Sequence, residues 1–359
     1  MKYEIIEKTD KYEVALSEDH RTKLFKSPEA NYIFNLGNGQ MMLWGKTPED
    51  DPVAFPAPNI LDLECTVVCK GVNGKVCPFC YKANLPTNKG YMTFETFKKI
   101  FDALPKSITQ IAFGADATLE TNPDLWKMME YCREHYVIPN VTAAQLDDEI
   151  ADKVAKYCGA CAISRYDDKD VCYDSIKRLI DRGMSQVNIH LMVSEETYDR
   201  CIETINDAAT DPRLEKLNAI VCLSLKQKGR GVTYHSLSDD KFKTMTDLAI
   251  EKRVGLGFDS CGSLKALKAI GEHIKGYVLD CEAALQSSYI NYKGEYFPCS
   301  FCEGEGCWKE GLNVLECRDS KDFVERIWEH PKTQHFKEIL LETANHNEFK
   351  CRTCPMFTV

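Results

Sequence analysis

The spacing of apolar positions falls into three regimes along the chain. Up to about residue 55 it alternates. KYEVAL (11–16) and NYIFNLGNGQMMLWG (31–45) put every second side chain on one face, the period of a half-buried strand. Asn38-Gly39, set between two such runs, predicts a two-residue hairpin turn. A polar, proline-containing connector follows, TPEDDPVAFPAP. From residue 59 short apolar runs take over: NILDLE, QIAFG, IPNVTA, ACAIS, QVNIHLMV, LNAIVCLSL and VGLGFD. Between them lie stretches with apolar residues every three to four positions, the period of an amphipathic helix. Helix starts are expected near Thr93, Pro123, Asp147, Asp170, Glu195, Ser238 and Gly262, several of them residues that cap helices. The last eighty or so residues lose this rhythm. They hold a hairpin-like segment (SSYINYKGEYFPCSF), a helix (DSKDFVERIWEH) and a final cysteine pair.

Strand-then-helix repetition implies a parallel sheet covered by helices, the α/β class. The expected architecture is a partial (β/α)6 TIM-like barrel over residues 59–276. It is preceded by a small N-terminal β-hairpin platform, 1–58, and followed by a separate cysteine-rich C-terminal module, 277–359. Barrels of this kind carry their chemistry in the loops after the strands.

Composition narrows the function classes. With 45 Lys and Arg against 55 Asp and Glu the net charge is −10, and no basic stripe stands out, which argues against non-specific nucleic-acid binding. No apolar run reaches the roughly 18 residues of a membrane span, and the charged N-terminus is unlike a secretory signal, so no membrane partner is expected and the expected location is the cytosol. There the 18 cysteines point to metal or redox chemistry rather than disulfides. Cys132, Cys158, Cys161, Cys172, Cys201 and Cys222 fall in strand-like or helix-periodic stretches and read as small buried hydrophobes.

Cys69, Cys77 and Cys80 differ: they lie just past the first barrel strand, spaced C-x7-C-x2-C, and thiolates are the natural ligands of zinc and of iron–sulfur clusters. With Cys65 they would also make four ligands for zinc, though the seven-residue gap is short for a zinc ribbon. The run Thr66-Val-Val-Cys69 … Cys77-Pro-Phe79-Cys80-Tyr81 resembles the signature loop of the radical S-adenosylmethionine (SAM) superfamily. The resemblance implies that these three cysteines hold three irons of a [4Fe–4S] cluster and that SAM chelates the fourth. The gap between the first two cysteines is seven residues where the family usually has three. Gly71, Asn73 and Gly74 would let the insertion loop out. Further positions are similar to the family's SAM contacts and would join Phe79 in holding it: Gly114 and Asp116 after strand two, Ser164 and Arg165 after strand four, and Asn188 on strand five. Read as residues alone, Asp116 is also a helix-entry turn residue, Ser164-Arg165 also a surface pair at a strand end, and His190 most simply a core histidine.

Cys281, Cys299, Cys351 and Cys354, with Gly294 at a turn, resemble the shortened "twitch" form of the SPASM extension. That implies one auxiliary [4Fe–4S] cluster, two clusters in all, and no third is expected. Zinc is an alternative for these four thiols. Cys302, Cys307 and Cys317 lie close enough in sequence to exchange with them. Cys261, after strand seven, is a candidate hydrogen donor to a substrate radical or a fifth thiol of the cluster region, and otherwise a buried thiol. The loop Lys226-Gln-Lys228-Gly-Arg230 is either an anion-binding loop or a solvated charged one.

The resemblance therefore implies an oxidoreductase-like radical SAM enzyme that takes hydrogen from a small-molecule substrate (an alcohol, sugar or nucleotide), the basic loop favouring this reading. A flavodoxin or ferredoxin would be its electron donor. The alternatives are a peptide maturase, for which residues 1–55 are short and poor in helix as a leader-binding domain, and a non-catalytic zinc or iron–sulfur protein.

Overall fold

The computed structural model describes residues 2–271, 273–274 and 281–345. Five strands open the chain: β1 (Tyr3–Lys8), β2 (Glu13–Ser17), β3 (Thr22–Lys26), β4 (Asn31–Asn35) and β5 (Met41–Trp44). They form one antiparallel meander in sequence order. The hairpin falls where expected, between β4 and β5, but its loop is wider than two residues: Asn35 pairs with Gln40 at 2.8 Å, and Gly39 has a positive φ of 73°. β1 and β3 were not marked by the alternation. Both are short, and β1 leaves half its residues at the surface.

The second part alternates as predicted. Strands β6 (Ile60–Glu64), β7 (Gln110–Gly114), β8 (Ile138–Ala143), β9 (Cys161–Ser164), β10 (Val187–Val193), β11 (Ala219–Ser224) and β12 (Leu256–Phe258) pair in parallel, in chain order. Each is followed by a helix: α1 (Phe94–Ala103), α2 (Leu125–Glu134), α3 (Asp148–Tyr157), α4 (Lys169–Asp181), α5 (Tyr198–Ala208), α6 (Asp239–Lys252) and α7 (Ser263–Ile270). The series thus extends past the six expected units to a seventh, carried by a three-residue strand. The helices start where capping chemistry predicts: Thr93 accepts from the N–H of Thr96, and Asp147 from that of Ile150. Ser238 precedes α6 without a side-chain cap bond, and its N–H donates to Glu195 at 2.7 Å.

The C-terminal hairpin does not stand apart from the barrel. Its first strand, β13 (Ser287–Ile290), runs parallel to β6 on the edge away from β7. β14 (Glu295–Phe297) and β15 (Leu312–Asn313) continue outward, making one ten-stranded open sheet from β12 to β15. The predicted C-terminal helix is a single α turn, α8 (Ser320–Phe323), running into a π turn, and α9 (Pro331–Asn345) follows it. Among the described residues no helix is long and apolar enough to cross a membrane.

The N-terminal sheet closes the end of the barrel where the strands begin. Its core residues Tyr12, Phe25, Tyr32 and Phe34 pack with Phe55 and with Ile138, the first residue of β8. Tyr32 hydrogen-bonds the carbonyl of Ser107, and Asn38 accepts through its carbonyl from Gln186 at 2.7 Å. Lys23 crosses the same interface, 1% exposed, and donates to the carbonyl of Ile108 at 2.7 Å. Burial pushes its ammonium down to about 7, far below the ordinary lysine value. The unfolded chain binds this proton up to pH near 10 while the folded chain releases it near 7, so Lys23 makes folding more favourable as pH rises through that window. We expect stability by urea unfolding to gain roughly 1–4 kcal/mol from this group between pH 7 and 10, a rise that Lys23→Met flattens.

Candidate functional site

Strand parity decides which side chains reach the barrel interior. On β10, Val187, Ile189, Leu191 and Val193 pack outward against the helices, leaving Asn188, His190 and Met192 facing inward. On β6 the inward pair is Asp62 and Glu64, and on β9 it is Ala162 and Ser164, which pair with Asn188 and His190. These residues line a cavity of about 570 Å³. Burial pushes the His190 ring down to about 4, so it is neutral at pH 7.

Cys69, Cys77 and Cys80 sit at the mouth of this cavity, in the loop between β6 and α1. The insertion between the first two does loop out. Val72 and Lys75 exchange backbone hydrogen bonds at 3.0 and 2.9 Å, with Asn73 and Gly74 at positive φ. A Cβ on Gly71 would lie 2.1 Å from the carbonyl oxygen of Lys75, so the turn requires glycine there. The tip docks on the loop after β8, where Asn73 and Gln145 exchange hydrogen bonds. Burial pushes the Cys77 thiol up to about 12, although the Phe79 N–H and the Arg230 charge pull the other way.

The loop is held from two sides. Arg230 donates to the carbonyls of Cys77 at 2.9 Å and Asn84 at 3.2 Å, and its own N–H reaches the carbonyl of Cys80 at 3.0 Å. Gly229 lies so close that a Cβ would meet the Tyr81 carbonyl oxygen at 2.3 Å. Lys228 donates to the carbonyls of Phe301 and Glu303 and pairs with Glu305 at 3.1 Å. The basic loop is therefore neither an anion site nor a solvated stretch. Lys228 and Arg230 clasp the cysteine loop to the chain beyond β14. On the other side Lys82 pairs with Glu64 at 2.9 Å and with Glu303, and donates to the Tyr289 hydroxyl at 2.8 Å. Burial raises Glu64 despite this cation, whereas on Glu303 the Lys82 contact outweighs burial and the carboxyl is lowered.

Most of the SAM-contact candidates share the cavity. Phe79 is buried with edge or tilted contacts to Tyr166 and Tyr234 at 5.8 and 5.6 Å between ring centres. Gly114 and Ser164 end their strands in its wall. Asn188 lines it near the start of β10, where its carbonyl oxygen accepts from Asn218 at 2.9 Å. Asp116 is fully used inside its own loop. Its two oxygens accept from the N–H groups of Thr118, Glu120 and Thr121 and from both threonine hydroxyls, so it acts as a turn-forming residue. Arg165, just past β9, also lines the cavity, while one of its nitrogens pairs with Glu203 on α5 at 2.7 Å and its guanidinium lies over the Tyr173 ring on α4. Cys261 lines a separate cavity of about 290 Å³ with Lys226, and its thiol is raised by burial with a smaller contribution from Cys299. Sequence reading missed Glu64, Lys82 and Tyr166. The alternation of β6 pointed to the first, and the other two had no signal apart from their place beside a motif.

Of the second cysteine set, Cys281 and Cys299 pack against the barrel core, whereas Cys351 and Cys354 lie outside the described residues. Cys302 Sγ is 3.5 Å from Cys299 Sγ. Two thiolates on one tetrahedral metal stand about 3.8 Å apart with bonds of about 2.3 Å, so this pair has nearly the separation a shared metal requires. Cys307 is exposed and Cys317 buried.

Fold and site together define a class: an open parallel α/β barrel with a three-cysteine loop at the C-terminal end of its first strand. No protein-family model matches the sequence, and no curated protein matches it. Solved structures of Streptococcus suis SuiB share the fold. SuiB bound to its precursor peptide SuiA matches with a TM-score of 0.63 at 13% identity, covering 85% of this chain and 86% of that one. SuiB bound to S-adenosylmethionine matches with a TM-score of 0.60 at 16% identity, covering 79% and 68%. A third SuiB structure gives 0.62 at 14% identity, covering 88% of each chain.

Arg165→Met removes the pair with Glu203 and should lower unfolding stability, read by urea denaturation, by roughly 1–3 kcal/mol, since Glu203 is half-exposed and keeps part of its hydration.

Proposed function

We propose that this chain is a radical SAM enzyme. The observation that carries the reading is the meeting of three partly exposed thiols, Cys69, Cys77 and Cys80, with Phe79, Gly114 and Ser164 around one cavity. Three soft ligands on one loop suit an iron–sulfur cluster and leave one metal position for an outside ligand. Such a cluster, once reduced, supplies the electron that cleaves SAM to a 5′-deoxyadenosyl radical, which takes hydrogen from the substrate. The chain's own part is positional. Phe79 and the glycine at the end of β7 leave flat and backbone surface for the adenosyl group, and Ser164 offers a hydroxyl. The clasp of Arg230 keeps the thiols at the mouth.

We assign Cys281, Cys299, Cys351 and Cys354 to a second cluster, with Cys302 competing for one place because of its contact with Cys299. A flavodoxin or ferredoxin in the cytosol would supply electrons. The likeness to a fold that binds a precursor peptide supports a peptide substrate. The basic loop that favoured a phosphate- or carboxylate-bearing small molecule is occupied in holding the cysteine loop, and a small-molecule substrate becomes the second reading.

Anaerobic reconstitution tests the assignment. The wild type is expected to take up about eight irons per chain, two [4Fe–4S] clusters, and to release 5′-deoxyadenosine from SAM when reduced. Replacing Cys69, Cys77 and Cys80 with alanine should halve the iron and abolish 5′-deoxyadenosine. Replacing Cys299 and Cys302 should also cost iron but spare SAM cleavage. Full SAM turnover in the first variant would refute the proposal.

A further inference from the structure

Deeper in the barrel than the cysteine loop lies a carboxylate that nothing above has used. Asp62 is two residues before Glu64 on β6, roughly 7 Å further down the strand. Its side chain is exposed, and what it opens onto is the cavity. It makes no hydrogen bond or ion pair among the described residues, in contrast to Glu64, which has Lys82.

Its surroundings form a row across the sheet. Tyr289 of β13 pairs with Asp62 on one side; on the other, Ala112 of β7 pairs with it, and Asn140 of β8 follows. The Ala112 methyl leaves open the space beside the carboxylate. The cations at the cavity are placed away from Asp62: Lys82 pairs with two carboxylates, Arg230 donates to backbone carbonyls, and Arg165 stands past the end of β9, three strands from β6, and pairs with Glu203. His190 is neutral. Desolvation inside the barrel pushes Asp62 up to about 6, so at pH 7.5 it is an ionised carboxylate facing the cavity without an ion-pair partner among the described residues.

We propose that Asp62 is the anchoring group of the substrate site and that the substrate carries a primary ammonium or guanidinium group, which enters the cavity and pairs with it. A carboxylate or phosphate in this place would meet Asp62 with like charge. A carboxylate inside a cavity binds a cation more strongly than one at the open surface, because less water competes for it. The inference rests on the reading of this cavity as the reaction site, but its test does not depend on SAM chemistry.

A matched series of four-carbon probes decides it: butylammonium, butylguanidinium, butanol and butyrate, titrated into the full-length protein at pH 7.5 with binding read by ligand-observed NMR. The two cations should bind at least tenfold more tightly than the alcohol, with no binding of butyrate. Asp62→Asn, which keeps the shape, should abolish the preference, and it separates the cavity from the general cation affinity of a protein with net charge −10. The wild-type series also stands without the variant. Equal binding of ammonium and alcohol, binding of butyrate, or an unchanged preference in the asparagine variant would overturn the inference. Iron content and 5′-deoxyadenosine formation test the radical reading separately, so either can fail while the other stands.

Discussion

Lys82 holds the site together. Its ammonium, largely buried, sits between Glu64 at the end of the first barrel strand and Glu303, more than two hundred residues later, with Tyr289 as a third partner. The pairing adds little net stability, since removing three charged groups from water costs nearly what their attraction returns. What it supplies is geometry. Two carboxylates at this distance repel unless a cation lies between them, so Lys82 decides that β6, the cysteine loop and the C-terminal hairpin meet at one point. Asn291 then donates to Glu303 at 2.9 Å and ties in the hairpin turn.

The second fastening explains why this chain tolerates a long insertion between its first two cysteines. A seven-residue gap, four longer than usual, would ordinarily loosen the ligand geometry. Here Gly71, Asn73 and Gly74 fold the insertion on itself, and Arg230 grips the carbonyls on the far side of Cys77. Committing the basic residues to backbone carbonyls also sets the electrostatics of the cavity. With Lys228 and Arg230 facing the loop and Arg165 paired with Glu203, Asp62 stays in the cavity wall without an ion-pair partner among the described residues.

Local rules carried much of the reading. The parallel strands, the helix caps at Thr93 and Asp147, the turn at Gly39 and the placing of Cys69, Cys77 and Cys80 after the first strand all depend on residues a few positions apart, and all could be read from them. Some candidate residues have structural partners that could not be read locally. Arg165 lines the cavity and also pairs with Glu203, which comes from a different helix. Asp116 lines it too, while three amides of its own turn bond to its carboxylate. Cys261 lies at the correct end of the barrel and opens into the neighbouring cavity.

The sequence by itself determined the order of strands and helices, the end of the barrel that carries the thiols, and the chemistry those thiols favour, because periodicity, capping and ligand type are properties of neighbouring residues. Tertiary structure alone decided that the C-terminal hairpin joins β6, that Cys302 meets Cys299, that the basic loop is a clasp, and that Asp62 is left without a counter-charge. Each of these depends on groups brought together from distant parts of the chain, and a charge with no partner is recognisable only once every possible partner has been placed.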